Sequence, residues 1–153
     1  MREPRWWSIA VAIGLTALGL SASATAQPAR IAGSTSVKDA GYLRLVRSSG
    51  SLLIDEGRVR GTLPGTVNIR FVYNGNPSVS AQITISAHAG KVQARGSGRL
   101  SSPTSASPSF AGTLTITGGS GRYAHARGSG KMFGVFYRRS YAITVQTEGT
   151  LHY

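Results

Sequence analysis

The sequence predicts an all-β protein, an eight-stranded antiparallel β-barrel, with a two-sheet β-sandwich as the alternative. Three observations carry that prediction. Apolar and polar residues alternate at period two along most of the chain, short turn signals divide the alternating runs, and no run beyond the first residues sustains a helical period. The 153 residues fit one domain, and a hydrophobic content of 41 % is enough to build its core. Cysteine is absent, which excludes disulfides, thiolate metal sites and cysteine nucleophiles.

The chain opens with a leader. Met1 to Arg5 carries two arginines and a glutamate, and an apolar stretch follows from Trp6 to Leu20. That stretch is shorter than the roughly 20 apolar residues of a membrane-spanning helix. Ala24-Thr25-Ala26 then supplies an A-x-A cleavage pattern. A helical signal peptide over residues 1–26 is expected, cut between Ala26 and Gln27, with an uncleaved anchor as the alternative. The expectation is a secreted or extracytoplasmic (cell-envelope) bacterial protein with no stable membrane span after cleavage. Without a twin-arginine pair or a lipobox cysteine, general export is the route. Arg2, Arg5 and Glu3 leave with the leader, so 17 basic and five acidic residues become 15 and four, a formal charge of +11.

Residues 27–41 read as a flexible N-terminal lead, and the barrel domain is expected over 42–153. The strands fall at about 42–48, 51–63, 66–73, 78–88, 91–100, 109–117, 126–138 and 140–152. Val67, Ile69, Phe71 and Tyr73 share one face, as do Val79, Ala81, Ile83, Ile85 and Ala87. Tyr141, Ile143 and Val145 repeat the pattern near the end. Pro64-Gly65 suits a type II turn, Asn74-Gly75 is a hairpin signal, and Ser49-Gly50 and Ala89-Gly90 are weaker ones. Ser101 to Ser109 is a polar loop with two prolines, long enough to move. Closing such strands into a barrel removes aggregation-prone edges, and glycines inside strands (Gly96, Gly98, Gly128, Gly130, Gly134) favour the curvature closure needs. The run from Ala94 to Leu100 recurs from Ala126 to Met132, either as a repeated hairpin or as two strands needing small residues at one barrel level.

The most distinctive stretch is Gly112 to Gly130, where a strand ends in a glycine-rich turn followed by an aromatic and Ala-Arg-Gly: Gly118, Gly119, Ser120, Gly121, Tyr123, Ala126, Arg127 and Gly128. It resembles the signature of the allene oxide cyclase-like and dirigent-like barrels. The resemblance is specific over about twenty residues and extends loosely over the C-terminal half. It implies an eight-stranded barrel with an apolar cavity, in a family of cyclases, guides of radical coupling and exported bacterial proteins. In backbone terms, Gly118, Gly119 and Gly121 permit a tight turn from which Tyr123 folds back to plug the barrel end. Gly119-x-Gly121-x-x-Ala124 also fits a dinucleotide fingerprint, but no crossover helix or downstream acid accompanies it.

Candidate chemistry is sparse. The mature acids are Asp39, Asp55, Glu56 and Glu148. Glu148 lies opposite the apolar face. Asp55 and Glu56, beside Arg58 and Arg60, read as a surface ion-pair cluster unless a bulge at Gly57 turns one inward. His88, His125 and His152 lack metal-ligand spacing, so no metal site and no cofactor is expected, and no G-x-S-x-G elbow is present. His125, after the glycine turn, is the one histidine placed for local chemistry or anion binding. Two aromatic rows could line a ligand cavity: Phe71 with Tyr73, and Phe133 with Tyr137 and Tyr141. Lys91, Arg95 and Arg99 form a polar-face stripe, with Arg127, Lys131, Arg138 and Arg139 clustered later, suited to anions. Export and the lack of a recognition motif argue against nucleic acid.

The reading is a non-catalytic binding or envelope-associated module that takes an apolar small ligand in the barrel or an anionic polymer on its basic face. The alternative is an isomerase or cyclase acting on a small hydrophobic substrate, with Tyr73 or Tyr141 and Glu56 polarising it. A purely structural surface protein with a filled lumen is the third.

Overall fold

The computed structural model describes residues 33–73 and 77–153. The leader with its Ala26–Gln27 cleavage point and the Asn74-Gly75 turn lie outside the described residues. Eight strands follow in order: β1 (Ser34–Ser49), β2 (Leu52–Gly61), β3 (Gly65–Tyr73), β4 (Ser78–Ala87), β5 (Gly90–Ser101), β6 (Ser109–Gly119), β7 (Arg127–Tyr137) and β8 (Ala142–His152). Each pairs antiparallel with its neighbours in sequence, and β1 pairs with β8 to close the barrel. The sandwich alternative is thereby excluded.

The barrel begins earlier than the alternation suggested. Residues 34–41, expected in the flexible lead, are strand, paired with β8 from Ser34↔His152 to Arg44↔Ala142. Val37, Asp39 and Leu43 point inward there. Asp39 and Gly41 interrupt the apolar face, which is why the period-two signal fades across a segment that the β8 ladder holds in place.

The apolar face of every strand turns into the barrel, and the outward face carries mostly charged, hydroxyl and amide side chains, with Val46 and Phe133 as exposed exceptions. A barrel facing lipid would reverse this pattern. Two inward side chains fill space vacated by glycine. The Phe110 ring packs over its cross-strand partner Gly134, and Met132 reaches across the interior to Gly96, where an added Cβ would meet its Sδ at 2.8 Å. The strand glycines therefore make room for large neighbours and for adjacent backbone as well as allowing curvature.

The turns differ in one respect from expectation. The positive φ near Pro64 belongs to Gly61 (+129°), while Gly65 opens β3, its missing Cβ leaving room for the Ser86 carbonyl. At the β6–β7 connection, Gly121 has φ +62° and a 3₁₀ turn spans Gly121–Tyr123. The Ser120 and Arg122 amides donate to the Lys91 and Ala89 carbonyls, each at 2.9 Å. Tyr123 is thereby carried onto the barrel end. It is buried against Tyr153, with ring centroids 5.4 Å apart in a T-shaped contact.

Candidate functional site

The opposite end of the barrel holds an apolar cavity of about 320 Å³. Its floor is aromatic. Phe71 from β3 meets Phe110 from β6 and Phe136 from β7 at centroid distances of 5.9 and 5.7 Å, both edge-on. Leu53, Val79 and Leu100, from three further strands, complete the apolar wall, and Tyr73 stands at the rim. Each projects inward because strand side chains alternate, so one residue per pair of positions reaches the lumen.

The mouth is roofed by the β5–β6 loop. Pro103 and Pro108 line the cavity from above. The Arg138 guanidinium donates to the carbonyls of Ser105 (2.9 Å) and Pro103 (2.6 Å). The Arg138 and Phe136 amides donate to Ala106 and Pro108. The loop that its composition marked as long enough to move is thus tied to the end of β7 at four points.

Of the aromatic residues expected to line a ligand cavity, the structure brings Phe71 and Tyr73 to it. Phe133, Tyr137 and Tyr141 point away, at 44 %, 39 % and 65 % exposure. The reason is parity: Met132, Gly134 and Phe136 face the lumen in β7, so the residues between them face out. Tyr141 sits in the β7–β8 turn with φ +52°. Sequence reasoning passed over Phe136, although its place two residues from Gly134 and four from Met132 was the available signal.

The interior also holds two carboxylates. Asp55 is 0 % exposed, opposite Leu45 in β1 and Ile69 in β3, and neither of its oxygens has a hydrogen-bond partner. Burial pushes its pKa up from 3.8 to about 6. The surface ion-pair expectation for Asp55 is therefore corrected, and no bulge at Gly57 is needed, since pairing is regular through that residue. Leu53, Asp55, Gly57 and Val59 simply alternate with the outward Ile54, Glu56, Arg58 and Arg60. Glu56 is outside, accepting from the Asn68 amide at 2.9 Å. Asp39 is buried nearer the Tyr123 end, beside a small void of about 30 Å³. Its Oδ1 accepts from the Leu63 amide at 2.8 Å and its Oδ2 is unpartnered. Burial raises its pKa, opposed by the Leu63 and Thr62 amides.

Glu148 and His125 are exposed. Arg127, two residues on, spends its guanidinium on the Thr117 and Ala126 carbonyls at 2.8 and 2.7 Å. Among the described residues no group of three His, Cys, Asp or Glu side chains could hold a metal ion. No helix among them is long and apolar enough to cross a membrane. No family model matches this chain, and no curated protein or solved structure is detectably similar to it.

Proposed function

We propose that this protein is an exported, non-catalytic binding module that takes a small apolar ligand into the mouth of its barrel. The observation that carries the reading is the aromatic-floored cavity of about 320 Å³, within the range of small-molecule sites. Its polar groups are few and gathered at the rim, where Tyr73 and Arg138 can orient a ligand's polar end while the body rests on Phe71 and Phe136. The isomerase alternative loses two supports in this geometry, because Glu56 and Tyr141 face outward. Asp39 and Asp55 are the carboxylates on the inside, and neither lines the mouth cavity.

The test is a titration with phenylnaphthylamine, a neutral apolar fluorophore, and with its sulfonated analogue. Saturable enhancement by the neutral dye is expected. Val79→Trp, which fills the mouth, should abolish it, with circular dichroism establishing that the variant's barrel is intact. Undiminished saturable binding to that variant, or none to the parent, defeats the reading.

A further inference from the structure

The inward placement of Asp39 and Asp55 has a consequence for the outer surface. Arg2, Arg5 and Arg30 lie outside the described residues, and the other fourteen Lys and Arg side chains are all exposed. Only Glu56 and Glu148 oppose them from the outer face of the described residues, and Glu56 is already hydrogen-bonded to Asn68. The barrel has taken half of its scarce negative charge inside, so its exterior is more one-signed than the sequence total implies.

Strand register then orders that charge. One outward row runs Arg47, Ile54, Arg70, Gln82, Arg95 across β1 to β5. An arginine recurs on every second strand, which sets the guanidinium-bearing positions about 10 Å apart at a strand spacing of about 4.8 Å. Between Arg70 and Arg95 lies a shallow outer groove of about 360 Å³, with the Gln82 amide and the Ser80 hydroxyl beside them and Gly96 in its floor. Two planar cationic forks flanking an uncharged donor form a seat for oxyanions, since a guanidinium pairs bidentately with phosphate.

We infer that the outer face of β3–β5 binds a flexible phosphodiester polyanion, its phosphates held by Arg70 and Arg95 on either side of Gln82. Curvature selects the partner's form. The row from β1 to β5 covers half the circumference of a closed eight-stranded barrel, so its arginines point in different directions. A flat bilayer meets one of them at a time, whereas a flexible chain can follow the row. Among the described residues no aromatic side chain lines the groove for a base to stack on, which favours a phosphate chain without bases over single-stranded nucleic acid. This surface stands apart from the mouth cavity and holds whether or not that cavity takes a ligand.

The experiment titrates the exported protein with poly(glycerol phosphate) across a salt series, beside single-stranded DNA, dextran sulfate and phosphatidylglycerol vesicles at matched charge. Poly(glycerol phosphate) is expected to bind tightest. Arg70→Gln with Arg95→Gln should weaken it about tenfold or more and flatten the log–log salt slope by about 1.4, from about 0.7 for each lost phosphate contact. Lys38→Gln with Lys131→Gln removes the same charge from either side of Glu148 across β1, β8 and β7, and should change affinity by less than about twofold. Equal weakening by the two double variants would show that net charge alone is at work and overturn the inference. Tighter binding of any other probe, or no saturable binding, overturns it equally. Circular dichroism of each variant establishes that the barrel is intact.

Discussion

Replacing Asp55 by asparagine keeps the side chain's shape and removes its charge, which makes it a sensitive probe of the barrel interior. Both Asp55 oxygens are enclosed and without a partner, and burial lifts the carboxyl to about 6 from its ordinary 3.8. The folded protein therefore holds more protons than the unfolded chain between those two values. The contribution of Asp55 to stability is fully present below pH 3.8, falls as pH rises through the window, and levels off above about 6. The gap between the two values corresponds to about 3 kcal/mol of destabilisation at neutral pH. Asp55→Asn should remove that slope, so the variant gains on the parent by about 3 kcal/mol between pH 3.5 and 7, or roughly 10 °C in midpoint for a domain of this size. Guanidinium titrations followed by circular dichroism at several pH values supply the comparison. Subtracting the parent from the variant cancels the surface charges and the same-signed contribution of Asp39, which both chains share. Parallel pH profiles would refute the reasoning, and so would a parent that gains on the variant as pH rises. Either result would mean that Asp55 finds a cation or donor in solution.

Two further outcomes follow from backbone geometry. Tyr141 holds φ +52° while 65 % exposed, so Tyr141→Gly should relieve the left-handed strain and raise the thermal midpoint, with a net gain of about 1 kcal/mol after the glycine's added unfolded-state freedom. A midpoint that falls would show that the tyrosine side chain makes a contact worth more than the strain. Gly57 faces Leu43 across the β1–β2 pair, and a Cβ there would collide with the Tyr42 carbonyl and lie 2.7 Å from the Leu43 Cα. Gly57→Ala should cost about 3 kcal/mol or more, read as a lower denaturant midpoint, because the obstructing atoms are backbone and cannot swing aside.

Much of the fold was legible in local pattern. The faces of β3 and β4 alternate cleanly, and their inward residues from Val67 to Phe71 and from Val79 to Ile83 are the buried ones. The start of β1 was not legible, because its inward face mixes Val37 with Asp39 and Gly41, and only pairing with β8 makes that segment a strand. Two of the five aromatic residues expected to line a cavity stand beside one. Phe71 and Tyr73 reach the mouth, but the row chosen from β7 lies one position out of phase. In a strand so rich in glycine, an aromatic on either face looks equally apolar, and a shift of one residue exchanges inside for outside.

What the amino-acid order determined by itself was the rhythm: period-two alternation, the spacing of turns, the lack of cysteine and the excess of positive charge. Each is a property of neighbours along the chain, so it survives without knowing which strand meets which. Barrel closure decided the rest. It put Asp39 and Asp55 in the dark, aligned Arg70 with Arg95 across Gln82, and gathered Phe71, Phe110 and Phe136 from strands far apart in sequence. Those juxtapositions depend on register between strands, a long-range quantity set by the competition of all inward side chains for one enclosed volume.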